Sequence, residues 1–391
     1  MQIKDVSIIQ VSGCFQGPFF PAGSRQANML DIYPEFNSSD WSKSTAQKPY
    51  DLSAIYVEIV TDEGISGLFG PIDDDQVYII QTYLKPCLVK RDPLAIELLY
   101  DHMIRMHRHG RSGFFMKGVS AVDCALWDLK GKLMGLPIYR LLGGPMRSEV
   151  PAYASMLGFS VDPIQAVEVA IQYKEMGYKA QKWFFRYGPG DGEEGKDKNV
   201  AMIHALREAL GVNYPIMADA YMGWDVAYTL EMLPLLEPYH LTWVEEPIPP
   251  EHVEGFSRIH AITSVPLATG EHVYTRWQVL ELLKARAVDY IQTDPDWTGG
   301  ITELIKICSV ASAYEVPVVA HGHSLLAALH VAGSQSPSVV PMVEYLVRFQ
   351  PEKQYFHLPI YQPENGVIPL PQQPGLGYSL DESKITKKIE R

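Results

Sequence analysis

Three carboxylates stand at even intervals in the second half of the chain: Asp219, Glu245 in WVEEP and Glu271 in TGEH, 26 residues apart in each case. Acids that converge in a partly desolvated place repel one another, so such a set calls for a cation. An all-oxygen donor set with open positions suits Mg²⁺, whereas zinc would call for thiolate or imidazole ligands. Farther on come Asp294 and His321. A carboxylate beside an imidazole fixes its tautomer and raises its basicity, which suits a general base. Lys182 and Glu344 complete the set of charged residues that close an apolar run.

These residues need a scaffold that delivers them side by side. From about residue 150, eight apolar runs alternate with amphipathic stretches: VPAYASM, YKAQKWFF, YPIMADAY, LTWVEEP, VPLATGEH, VDYIQTD, VPVVAHGHS and VVPMVEYL. Continuous apolar strands alternating with helices mean a parallel sheet covered on its outside. Eight units predict a closed (β/α)₈ barrel, whose chemistry sits where strands end. An open doubly wound sheet is disfavoured, because no GxGxxG follows the first strand. The third to eighth strands then end in Asp219, Glu245, Glu271, Asp294, His321 and Glu344. Alternation puts Lys182 on one face with Ala180 and Phe184, and turns Glu246 away if Glu245 points in. A lysine facing the interior near a metal neutralises a bound carboxylate or a developing oxyanion. His323 opens the following helix and reads as a cap or substrate contact. His102, His107 and His109 read as a surface cluster.

The first part of the chain predicts an α+β unit. VSIIQVSG and LSAIYVEIVTDEGISGLFG are strand-like, the second with a hairpin turn at Thr61–Gly64. Between them, residues 15–49 form a loop rich in Pro, Gly, Ser and aromatics, too long for a connector and placed to cover a site. Residues 118–135 carry helical periodicity that stops at a glycine.

The net charge of −13 argues against a nucleic-acid surface. The N-terminus lacks the apolar region of a signal peptide, and no apolar run is long enough to span a bilayer, so a cytoplasmic protein is expected. Four scattered cysteines read as reduced core thiols.

The ordered set Asp219, WVEEP, TGEH, Q-x-D at Asp294 and AHG at His321 resembles the enolase superfamily, mandelate racemase subgroup. SAVDCALWDLKGKLMGLPIYRLLGG is similar to that family's join between capping domain and barrel. Within the subgroup, DIYPEF, GPGDGEEG, ATGEH…TRW, WTGGITELIKI and PENG resemble acid-sugar dehydratases of the L-rhamnonate dehydratase type. The resemblance implies an α+β capping domain over residues 1–135 with residues 15–49 as a substrate lid, a barrel over 136–355, and a segment over 356–391 packing back on the cap. It implies a small-molecule sugar acid as the partner and a homo-oligomer.

The roles it implies follow the residues. Asp219, Glu245 and Glu271 hold Mg²⁺, His321 oriented by Asp294 removes the C2 proton, Lys182 supplies positive charge, and a protonated Glu344 donates to the substrate carboxylate. Arg25, Tyr33, Arg186, Tyr221 and His272 are candidates to read sugar hydroxyls. Racemases of the subgroup carry K-x-K on the second strand, whereas here the sequence is K-W-F. Phe184 cannot take a proton, so racemisation is disfavoured and a one-base elimination is expected. The rivals are a cycloisomerase of an anhydro or lactone sugar acid, and a non-catalytic barrel that binds a ligand.

Overall fold

The computed structural model describes residues 1–33, 35–36 and 48–391, so residue 34 and residues 37–47 of the expected lid lie outside it. Strand β1 (Ile3–Phe15) buries Val6 and Ile8, then Val11 and Phe15. It pairs antiparallel with β2 (Tyr50–Thr61), which pairs with β3 (Ser66–Ile72). The β2–β3 turn falls where the sequence places it: Thr61 and Ile65 bond at 3.0 Å, and Gly64 adopts φ +82°. Strand Lys387–Glu390 adds to the other edge of β1.

Helix Gly113–Met134 begins five residues before the expected start and ends at Gly135, which takes φ +65°. A helix buried almost all round has to satisfy its polar groups internally, and this one uses them as links. Asp128 accepts from the Leu68 N–H of β3 at 2.8 Å and from the Leu376 N–H at 2.7 Å. Toward the barrel, Ser120 Oγ accepts from the Gly299 N–H and Asp123 from the Thr302 N–H, at 2.8 and 2.9 Å.

The barrel strands are β4 (Glu149–Ser155), β5 (Gln181–Phe184), β6 (Ile216–Asp219), β7 (Val244–Glu245), β8 (Leu267–Thr269), β9 (Tyr290–Ile291) and β10 (Val343–Leu346). Neighbours run parallel from β4 to β9, and β10 pairs with β4. The expected seventh strand is reduced to two isolated bridges, Val318 with Ile291 and Ala320 with Val343, which close the ring.

One layer of the barrel interior is formed by Tyr153, Ala180, Met217, Trp243, Ala268 and Val319, with Tyr290 and Met342 against it. Side chains two residues apart share a face. One step toward the C-terminal end of the same inward face therefore come Ser155, Lys182, Asp219, Glu245, His321 and Glu344. The apolar layer is the floor on which the charged residues stand.

Over that mouth runs the N-terminal loop. Ser24 N–H bonds Phe159 O at 3.3 Å and Ala27 N–H bonds Phe185 O at 2.7 Å, beyond the ends of β4 and β5. A short turn, Met29–Ile32, is capped by Asn28. Among the described residues no helix is long and apolar enough to cross a membrane. All four cysteines are free, but only Cys124 and Cys308 are buried; Cys14 is on the outward face of β1 and Cys87 is half-buried.

Candidate active site

Lys182 lies at the centre of the mouth. Its Nζ is 2.7 Å from Glu245, 3.0 Å from Glu344 and 3.2 Å from Asp219, and the side chain is 1% exposed. The other Glu245 oxygen accepts from Trp243 Nε1 at 3.0 Å and Gln292 Nε2 at 2.7 Å. Strand register puts Asp219 beside Glu245, and Asp219 accepts from the Tyr221 N–H at 2.8 Å. Burial would strip Lys182 of its proton, but Glu245 and Glu344 outweigh it and hold the ammonium well above its ordinary range.

Asp294 receives four donors. Asp296 N–H bonds Oδ1 at 2.8 Å, while Oδ2 takes His323 N–H at 3.0 Å, Ser324 N–H at 3.2 Å and His321 Nδ1 at 3.0 Å. Burial alone would raise this carboxyl, yet the bond from His321 and the imidazole charge keep it below the usual range. His321 stacks on Trp297, ring centres 4.8 Å apart, and points Nε2 at Glu271, 3.0 Å away. Burial pulls His321 down, but Glu271, Asp294 and Glu344 lift it to about 10.

Glu344 closes the ring of charges from the eighth strand position. Lys182 and His321 overcome its burial and hold it below the ordinary range, and its second oxygen accepts the Gly322 N–H at 3.0 Å. The geometry pairs it with Lys182. Glu246, read as an outward neighbour, bonds Thr269 and His272, each at 2.8 Å. Its φ of +36° takes the chain out of strand geometry, so alternation no longer governs its direction.

Of the residues expected to read substrate, two join the carboxylates. His272 lies between Glu246 and Glu271, and the Glu246 bond and both charges lift it to about 9 against burial. Tyr221 sits with its ring 6.5 Å from that of His272. Arg25 and Tyr33 are placed elsewhere. The Arg25 fork is filled by both Asp31 oxygens, at 2.7 and 2.9 Å, and by the Gln26 and Phe36 carbonyls. Tyr33 is 50% exposed and edges onto Phe36. Arg186 approaches the same Asp31 at 3.5 Å. Trp243 and Gln292 lie in the WVEEP and Q-x-D motifs, each two residues before an acid singled out above, but the sequence reading assigns them no role.

Residues 165–384 match the family described as enolase C-terminal domain-like, and residues 42–143 match the mandelate racemase/muconate lactonizing enzyme N-terminal domain. The chain belongs to that family. It is 34% identical over 350 residues to the arabinonate dehydratase of Saccharolobus solfataricus, covering 86% of this chain and 90% of that one. Its fold matches rhamnonate dehydratase from Gibberella zeae complexed with Mg, with TM-score 0.86, 29% identity, and 100% and 96% of the two chains covered. It also matches 3,6-anhydro-D-galactonate cycloisomerase from Zobellia galactanivorans, with TM-score 0.78, 27% identity, and 99% and 100% covered.

The family's metal can be tested against the charges present. Six buried carboxylates (Asp219, Glu245, Glu246, Glu271, Asp294 and Glu344) face Lys182, His272 and His321. Burial and neighbouring carboxylates push Asp219 well up, with Lys182 only partly offsetting them. Burial raises Glu271 also, against the pull of His321 and His272. Negative charge in excess and oxygen donors fit a hard divalent cation. Among the described residues, one tight group of potential ligand atoms, all within 4.8 Å, comes from Glu246, Glu271 and His272. The expected trio Asp219, Glu245 and Glu271 does not gather its ligand atoms that closely, although all-oxygen donors suit Mg²⁺ better than a set containing an imidazole. Phe184, 5% exposed, has its ring centre 5.2 Å from Lys182 Nζ, on the inward face where a second base would stand.

Proposed function

We propose that this chain is a Mg²⁺-dependent hydro-lyase that converts an aldonic sugar acid, such as L-rhamnonate or a stereoisomer, to its 2-keto-3-deoxy product. The observation that carries the reading is a one-sided acid–base apparatus: His321 is backed by Asp294, while the position two beyond Lys182 is a phenyl ring. Proton traffic on a single face suits elimination and not racemisation.

Asp219, Glu245 and Glu271 would hold the ion, which supplies Lewis-acid stabilisation of charge on the substrate carboxylate. Lys182 adds fixed positive charge beside that carboxylate and is itself anchored by Glu245 and Glu344. Nε2 of His321, the nitrogen turned away from Asp294, takes the proton from C2. The electron pair left at C2 forms the C2–C3 double bond, and the 3-hydroxyl leaves as water with the proton that His321 carries. The resulting enol then tautomerises to the ketone. His321 can accept a proton only once the charge of Glu271 is engaged elsewhere, which ties base function to that ligand.

The cap (1–135), barrel (136–355) and returning segment (356–391), with residues 15–49 as lid, belong to this proposal. The separate four-stranded sheet and the pairing of Lys387–Glu390 with β1 support it. Cytoplasmic location, supported by the unpaired thiols, and homo-oligomeric assembly belong to it as well. The likeness to a cycloisomerase keeps ring opening of an anhydro sugar acid as the second reading. A panel of aldonic and aldaric acids with Mg²⁺ separates them, because dehydration loses water and cycloisomerisation conserves mass. The expected product should vanish with EDTA and in His321→Asn with metal still bound. Unimpaired dehydration by His321→Asn would sink the assignment.

A further inference from the structure

A second histidine–carboxylate pair lies two residues along the same two loops: Asp296 follows Asp294 as His323 follows His321. His323 Nδ1 is 2.9 Å from Asp296 Oδ2, a close contact that lies off the line of a straight hydrogen bond. Lys353 Nζ is 2.6 Å from His323 Nε2. Burial pulls Lys353 down, with Asp296 and Asp294 opposing it; as an ammonium it donates to Nε2, which puts the ring proton on Nδ1, toward Asp296. The other Asp296 oxygen accepts from Gln76 Nε2 at 2.9 Å, a fully buried side chain from helix Asp74–Ile79 outside the barrel.

The second pair interlocks with the first. Asp296 and His323 are the residues whose backbone N–H groups bind opposite oxygens of Asp294, at 2.8 and 3.0 Å. Their side chains touch each other, so the two donors that grip this carboxylate are tied together. Trp297 lies against both imidazoles, 4.8 Å from His321 and 4.9 Å from His323.

We propose that Lys353, His323 and Asp296 form a positioning array that holds the Asp294 carboxylate, and through it the His321 imidazole, in the orientation proton abstraction needs. The kinetic part rests on the dehydratase reading; the structural part does not. A group that orients a catalytic side chain acts on turnover and not on substrate affinity.

The test uses the full chain with two readouts. In substrate-free protein, the His321 Nδ1–H resonance, assigned by its loss in His321→Asn, should shift or broaden by exchange in His323→Phe. In the dehydration assay, His323→Phe should lose about 10- to 100-fold in kcat, the usual cost of removing the partners that orient active-site ligands, with KM nearly unchanged. His323→Gln keeps a side-chain N–H for Asp296 and should recover part of the loss. A folded His323→Phe with an unmoved resonance overturns the array. If His323→Phe does not fold, Lys353→Met serves, since it leaves Asp296 and His323 in place; an unmoved resonance there overturns it equally. A shifted resonance in a protein that dehydrates no sugar acid sinks the functional reading and leaves the array standing.

Discussion

Phe184 offers a direct way to provoke the chemistry that its phenyl ring forbids. Phe184→Lys would put a second amine on the inward face beside Lys182. The ring centre is 5.2 Å from Lys182 Nζ. Two ammonium groups at that spacing repel by about 332/(20 × 5.2), or roughly 3 kcal/mol, at an effective dielectric of about 20. At 1.36 kcal/mol per pKa unit this lowers the new amine by about 2 units, from about 10.4 toward 8. Asp219, in register with Phe184, acts in the opposite direction, while burial at this position adds to the drop. An amine that titrates near 8 to 9 is a working base in mildly alkaline buffer. The assay incubates the sugar acid with the variant and Mg²⁺ in D₂O, then examines recovered substrate by proton NMR. The expected result is deuterium at C2 together with the C2 epimer, neither formed with inverted configuration by the parent enzyme. A folded, metal-binding variant that forms no epimer at pH 9 would refute the argument that Phe184 is what makes proton transfer one-sided.

Two further predictions concern stability. Burial pulls His330 down to about 4 and His357 to about 3, against an unfolded value of about 6.5. The unfolded chain then binds more protons between those limits, so stability is lost as pH falls from about 6.5 and the loss levels off below about 3. His330 contributes about 2.5 units, or roughly 3 kcal/mol; urea unfolding of His330→Gln across that range should show a flatter acid limb, and an unchanged limb rejects the assignment. Asp128→Ala strips the buried Leu68 and Leu376 N–H groups of their acceptor, at about 1–3 kcal/mol each. A fall in unfolding free energy below about 1 kcal/mol at constant m-value would contradict that.

The barrel was legible because its strands are continuous apolar runs and because inward positions recur every second residue. The step from Met217 to Asp219, or from Trp243 to Glu245, can be counted on the sequence alone. What could not be counted depends on backbone that leaves the strand, or on distance between strands. Glu246 turns toward His272 through a left-handed backbone that no alternation rule predicts. The pairing of Glu344 with Lys182, 3.0 Å away, joins strands at opposite ends of the barrel sequence and is not visible until the ring closes. Arg25 looks like a substrate contact by type, yet a carboxylate six residues on, Asp31, takes its fork first. The equal offsets of Asp294–His321 and Asp296–His323 are visible in the sequence, but only the paths of the two loops turn equal spacing into contact.

The pairing of β1 with Lys387–Glu390 also bears on how the protein is made. Ser12 finds its partner in Lys387 and Ile9 in Glu390, so the outer edge of β1 waits until every barrel strand has been synthesised. During that interval a nascent chain offers an unpaired strand edge, the kind of surface that recruits chaperones or another chain's strand. Slowing translation late in the message should therefore favour aggregation of this protein, even though its mature surface hides the strand responsible.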